Sequence, residues 1–131
     1  DIAVMRIDSA ELKQLKDKLI AAVAATSTEK IAWTALTFQT TETTPGKTVI
    51  ALGSPDSGPL NVSAGIVSAI GKSATSTTAN IIRTSATNNY NLGGPVLNIK
   101  GKVVGLSHEP GLAISVTSIQ EFINSLTPNP Q

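Results

Sequence analysis

From Lys47 onward the chain is written in short runs of β-branched and aliphatic residues, each closed by a turn signal. That rhythm limits what it can fold into. Thr48-Val49-Ile50-Ala51-Leu52-Gly53 reads as a buried strand, stopped by Ser54-Pro55-Asp56-Ser57-Gly58-Pro59. Leu60 to Ile70 carries Val62, Ala64, Ile66, Val67 and Ile70, with Gly65 marking a bend or bulge. Gly71 to Asn80 is a Ser/Thr-rich exposed loop, Asn80 to Thr84 a further strand, and Asn88-Asn89-Tyr90-Asn91 a turn. Pro95 to Ile99 and Lys102 to Leu106 form a hairpin turning at Lys100-Gly101. Glu109-Pro110-Gly111 reverses the chain into a last strand, Leu112 to Val116. Short strands separated by turns predict a barrel or a sandwich.

The ends of the chain read differently. Asp1 to Ile7 is rich in β-branched residues and predicts a strand. Ser9 caps a helix whose apolar positions Leu12, Leu15, Leu19, Ile20 and Val23 recur at helical spacing, with Lys13, Lys16 and Lys18 on the other face. Ile31 to Phe38 alternates as a strand or extended connection, and Thr40 to Thr44 is a polar loop closed by Pro45-Gly46. Near the other end, Thr117 or Ser118 caps a closing helix through Ile119, Phe122, Ile123 and Leu126, with Glu121 completing a capping box on Ser118. Thr127 to Gln131 predicts a frayed end. The chain opens on Asp1, already inside a strand, which predicts a fragment, a processed product or a truncated chain.

Composition removes several functions. A formal net charge of +1 gives no electrostatic case for nucleic acid or an anionic membrane surface. No apolar run approaches the length of a membrane span. The chain has no cysteine, so disulfides and thiolate metal sites are excluded. Asp8, Asp17, Glu29 and Glu42 are scattered without the spacing of a metal site or a two-carboxylate centre. Gly93-Gly94 precedes a strand rather than a helix, so it is no phosphate loop. Neither a metal nor a cofactor is expected.

Several segments, in order, carry a family pattern. They are Asp1-Ile2-Ala3-Val4-Met5-Arg6-Ile7, Pro45-Gly46-Lys47-Thr48-Val49-Ile50-Ala51-Leu52-Gly53-Ser54-Pro55 and Ser63-Ala64-Gly65-Ile66-Val67-Ser68-Ala69-Ile70-Gly71. Ile82-Arg83-Thr84, Asn91-Leu92-Gly93-Gly94-Pro95 and Lys102-Val103-Val104-Gly105-Leu106 follow. Together they resemble the second half of a trypsin-like serine protease of the HtrA/Deg type. The resemblance implies an all-β fold: a trypsin-like, antiparallel, six-stranded C-terminal barrel with an inserted helix near the N-terminus and a C-terminal helix. It divides the chain into residues 1–45, the last strand of a first lobe plus a helical linker insertion, and residues 46–131, the barrel lobe with its closing helix.

The resemblance also implies a damaged site. Asp1 falls at the triad aspartate position, Leu92 at the nucleophile position, and Tyr90 where the family has a glycine whose N–H helps bind the oxyanion. An alkyl side chain has no lone pair to attack with, and a side chain at Tyr90 opposes the backbone conformation that glycine allows. The stretch from Thr84 to Gly94 is also one residue shorter than the family loop, which predicts a collapsed oxyanion hole. Ser85 and Ser107 are the nearby hydroxyls. The single histidine, His108, follows the site loop, whereas the family's catalytic histidine precedes the aspartate and would lie upstream of Asp1. Extended substrate in this family pairs beside the segment here occupied by Ser107-His108-Glu109. A side-chain pocket would be lined by Ala86-Thr87, Ser107-His108 and Gly111-Leu112; its expected base carries no charge and suits a small or apolar side chain.

Three functions follow as expectations. The first is a catalytically inactive trypsin-like domain serving as a peptide-binding, scaffold or regulatory module. The second is a fragment or variant of an active serine endopeptidase, and the third a structural lobe without a ligand. An extended peptide or protein segment and a missing N-terminal lobe are the expected partners, and the family favours an extracytoplasmic (periplasmic or secreted) location.

Overall fold

The computed structural model describes residues 13–14, 17–18, 35–55, 58–72 and 79–126. The chain divides into two compact units, Asp1–Ala35 and Leu36–Gln131. In the first, Lys13, Gln14, Asp17 and Lys18 are helical and exposed, in register with the polar face expected there. The strand expected at Asp1–Ile7, the apolar stripe of the helix and the tail from Thr127 lie outside the described residues.

The second unit holds strands β1 (Thr48–Gly53), β2 (Asn61–Lys72), β3 (Asn80–Thr84), β4 (Pro95–Asn98), β5 (Val103–Glu109) and β6 (Leu112–Ser115), then helix α1 (Val116–Leu126). All pairings are antiparallel, and the strands close in the order β1-β2-β3-β6-β5-β4. Of the two architectures left open by the strand rhythm, the barrel forms. Every strand has a neighbour on both sides, but β5 runs past Pro95 of β4, so His108 and Glu109 pair only toward β6.

A barrel this narrow is filled by its own side chains. Val49, Ala51, Val67, Ile82, Ala86, Val96, Val104 and Ala113 form the buried core, with Ile70 packed against it. Alanines at three of these inward positions let the larger Val and Ile side chains interdigitate. Gly105 keeps β5 close to β6, because a Cβ there would sit 2.5 Å from the Ile114 carbonyl oxygen.

The structure corrects two local expectations. Gly65 is no bulge: it pairs regularly with Val49, and the register shift in β2 falls between Val67 and Ala69. Gly65 is required by close approach, since a Cβ there would lie 2.5 Å from both Ala86 N and Ser85 Oγ. The helix cap is Ser115, not Thr117 or Ser118. Helix α1 begins one residue after Ser115, whose Oγ accepts from Ser118 N–H at 3.4 Å. The Ser118 hydroxyl instead accepts from Asn80 N–H at 2.8 Å, tying the helix to the start of β3.

Between the units' boundary and β1, Phe38 makes a parallel bridge to Val103. Gln39 N–H donates to Val103 O and Val103 N–H to Thr37 O, both at 2.9 Å.

Candidate functional site

In the closed ring β3 and β4 stand opposite each other, so their connection must cross the barrel. It does so through residues 85–94. Ser85 and Ala86 lie against Gly65 of β2; Tyr90 and Asn91 lie against Gly53 of β1, where any Cβ would overlap Asn91 Cα. The path ends at Gly94, where a Cβ would overlap the Leu52 carbonyl oxygen. Two strand glycines and Gly94 therefore let this connection lie directly on the barrel wall.

Asn91 organises the crossing. Its side chain is 1% exposed and fully bonded. The amide nitrogen donates to Ser63 Oγ at 2.7 Å and to Ala86 O at 3.2 Å. Its Oδ1 accepts from Asn88 N–H at 2.9 Å and from the Ser107 hydroxyl at 3.1 Å. One buried carboxamide thus joins β2, the crossing segment and β5, and leaves no polar atom of its own unpaired.

The flanking backbone is held as tightly. Gly94 N–H donates to Asn91 O at 3.0 Å and Asn91 N–H to Asn88 O at 3.3 Å. Gly93 N–H donates to Ser107 O at 2.8 Å, and Ser107 N–H to Gly94 O at 2.9 Å. Gly93 sits at φ +76°, in the left-handed region that a side chain resists. The next residue on the other side, Leu92, points outward with 47% of its surface exposed.

The Tyr90 N–H is engaged inside the segment: it donates to Asn88 Oδ1 at 2.8 Å. Leu92 N–H has no acceptor among the described residues. Two N–H groups two residues apart therefore differ among the described residues, one covered by a side-chain oxygen and one with no acceptor. The Tyr90 ring itself is 61% exposed.

The residues expected to receive a peptide separate into two groups. Ser107, Ala86 and Thr87 are buried. Ser107 spends its N–H, carbonyl and hydroxyl on Gly94, Gly93 and Asn91. His108 and Glu109 are exposed, and a register shift between Ser107 and Glu109 sets His108 as the extra residue of a β-bulge. The two side chains lie 3.6 Å apart, His108 Nε2 to Glu109 Oε1. Gly111 and Leu112 are half-buried beside them, and Gly111 N–H donates to Thr87 O at 3.1 Å. Thr87 Oγ1 is buried and has no hydrogen-bond partner among the described residues.

Neither nearby hydroxyl is idle. Ser85 Oγ accepts from Ile66 N–H at 3.1 Å, and the Ser107 hydroxyl is committed to Asn91. Asp1 lies outside the described residues. Ser63 and Asn88, which sequence reasoning did not single out, complete the network. Nothing in the local sequence marks Ser63, because its partners lie 23 and 28 residues away. Asn88 carries a faint signal: an asparagine two residues before another backbone donor can fold back onto it in a turn.

A closed antiparallel barrel of six strands with a C-terminal helix is the fold of the trypsin-like class. The chain belongs to the trypsin-like peptidase domain family, whose pattern matches residues 1–106. A relative named "Probable periplasmic serine endoprotease DegP-like", from Marinomonas sp. (strain MWYL1), is 45% identical over 67 residues, 50% of this chain and 14% of that protein. Among solved structures, the HtrA-type protease AlgW with a tripeptide superposes with a TM-score of 0.58 at 27% identity, over 74% of this chain and 38% of AlgW. The serine endoprotease from Yersinia pestis gives 0.59 at 26% identity, over 70% of this chain and 35% of that one. The chain thus spans well under half the length of each of these three relatives.

Proposed function

We propose that this HtrA-type domain is catalytically inactive and serves as a binding or regulatory module for an extended peptide or protein segment. The observation that carries the reading is Leu92, a solvent-facing alkyl side chain at the position that the family pattern gives to the nucleophile. Loss of that serine costs about 10⁶ in turnover in subtilisin, too much for orientation and oxyanion binding to replace. The bond from Tyr90 N–H to Asn88 Oδ1 supports the same conclusion from a second side, because it covers one of the expected oxyanion donors. A transition-state oxygen would have to displace a fixed carboxamide to reach it.

The binding half of the proposal rests on what stays open. His108 and Glu109 lie exposed at the end of β5, next to the half-buried Leu112; behind them the buried Thr87 hydroxyl has no partner among the described residues. A buried hydroxyl without a partner is costly unless a ligand or water completes it. The segment would add an extended peptide as a strand, with a small or apolar side chain seated near Ala86 and Thr87. A tripeptide accompanies the relative AlgW in its solved structure. The periplasmic name of the Marinomonas relative supports an extracytoplasmic location; among the described residues no helix is long and apolar enough to cross a membrane.

Titrating the isotope-labelled protein with extended apolar peptides tests the binding half. The account expects amide shifts at Thr87, His108, Glu109 and Leu112 and full recovery of intact peptide. Unchanged spectra at those residues would sink it.

A further inference from the structure

We propose that the Leu36–Gln131 unit carries a second site, a basic groove that takes a carboxylate-rich, extended peptide segment. The groove has a volume of about 590 Å³ and runs between the approach to β1 and the β4–β5 turn. Lys47, Lys100 and Lys102 line it, with Glu42 the one acidic member among the described residues. This unit has five basic residues in all, Lys47, Lys72, Arg83, Lys100 and Lys102, so three of the five open onto one groove. Of its described acidic residues, Glu42, Glu109 and Glu121, only Glu42 does so. A chain close to neutral overall therefore presents a local excess of positive charge.

Among the described residues that charge is unspent. All three lysines are exposed, and the ion pair found among the described residues joins His108 to Glu109, elsewhere on the barrel. Glu42 makes no ion pair with any of the lysines. The floor of the groove, by contrast, is fixed. Asn98 Nδ2 donates to Gln39 Oε1 at 2.7 Å, while Asn98 Oδ1 accepts from Lys100 N–H at 2.8 Å and Lys102 N–H at 3.0 Å. The turn that carries two of the lysines is thereby held in one shape, with Gly101 at φ +74°. A turn backbone already held in one shape loses little freedom when a ligand arrives, so the ordering cost falls on the lysine side chains alone.

The form of the wall selects the ligand. The N–H groups of the exposed Thr40, Thr41 and Glu42 donate to no other described residue, so this segment offers backbone donors beside the lysines. An extended peptide can use both, pairing its main chain with the wall and its carboxylates with the lysines. A single-stranded nucleic acid would want aromatic faces for its bases, and none of the described residues lining the groove is aromatic. The volume lies within the range of roughly 300–1,000 Å³ usual for ligand sites.

This groove is separate from the Leu92 segment. Thr48, at the start of β1, lines the groove, whereas Gly53 at the strand's other end packs on Tyr90 and Asn91. Six residues of strand put the two sites about 15–20 Å apart. Asn98 and Pro95 stand in the same relation at the two ends of β4.

The test is fluorescence anisotropy on the full chain with a labelled decapeptide of alternating Glu and Ser, against its Lys-Ser counterpart and a uridine RNA oligomer of equal charge. The proposal expects the Glu peptide alone to bind measurably. The double variant Lys100→Glu with Lys102→Glu should weaken it roughly tenfold or more, and high salt should weaken it too. Lys72→Glu, an exposed lysine of β2 outside the groove, makes a smaller change in net charge and should shift binding less than about twofold. No binding of the Glu peptide, equal losses from Lys72→Glu and the groove variant, or tighter binding of the RNA overturns it. Shifts of the apolar peptides at His108 and Glu109 should persist in the groove variant, so the two sites fail independently.

Discussion

The Asn91 carboxamide and the Ser63 hydroxyl, 28 residues apart in sequence, meet at 2.7 Å beneath the segment that crosses the barrel. The Ser63 hydroxyl passes the chain of bonds on to Ala86 O at 2.5 Å, and Ser107 closes it from β5. The segment bearing Leu92 is therefore not a loose loop that has lost its purpose. Its shape is enforced by buried polar groups that would each be costly to leave unpaired.

Asn91→Ala should expose that dependence. The change takes the acceptor from the buried Ser107 hydroxyl and from the half-buried Asn88 N–H, and one donor from Ser63, which keeps its bond to Ala86 O. A stability loss of roughly 3 kcal/mol is expected from urea unfolding, with the slope unchanged. A loss below about 0.5 kcal/mol would show that the network is incidental.

Gly94→Ala should be worse, because its Cβ overlaps the Leu52 carbonyl oxygen, a backbone atom that cannot step aside without moving β1. We expect a cost of at least about 3 kcal/mol, or failure to fold. Gly71→Ala is the control: an added Cβ meets nothing within 4 Å and its φ is ordinary. There a gain of about 0.5 kcal/mol is expected, since alanine restricts the unfolded chain.

Ser115→Ala removes the cap of α1 and should cost about 1 kcal/mol in the same unfolding measurement. Glu121→Ala, which would matter if Ser118 were the cap, should stay within roughly 0.5 kcal/mol of the unaltered protein. The reverse ranking would contradict the assignment of Ser115.

Asn88→Ala releases Tyr90 N–H from its side-chain acceptor. Hydrogen exchange of that amide should accelerate roughly tenfold, while amides in β1 keep their protection. An unchanged rate at Tyr90 would mean that Asn88 Oδ1 does not cover this donor in solution.

The strand rhythm was legible because each run of Val and Ile fills an interior that only such side chains fit; Thr48–Gly53 and Asn80–Thr84 are bounded as the residues imply. Features set by contacts distant in sequence were not. Gly65 reads as a bulge locally, yet it is a glycine because Ser85 and Ala86 press on it. Ser118 satisfies a capping pattern, yet the chain leaves β6 one turn earlier and hands that role to Ser115. At the site, Leu92 and Tyr90 could be picked out from the order of residues around Gly93-Gly94-Pro95. Ser107, expected beside a bound peptide, turns out to be buried and committed to Asn91, and no sequence pattern announces a partner on another strand.

The central claim, loss of catalysis with retention of the fold, is tested most directly by peptidase turnover on the full-length protein. Casein and fluorogenic peptides would be assayed with and without a serine-directed fluorophosphonate. The account predicts no turnover above the uncatalysed rate and no covalent labelling, in the unaltered protein and also in Leu92→Ser, where the Tyr90 donor remains covered by Asn88. Cleavage that the fluorophosphonate abolishes would contradict it.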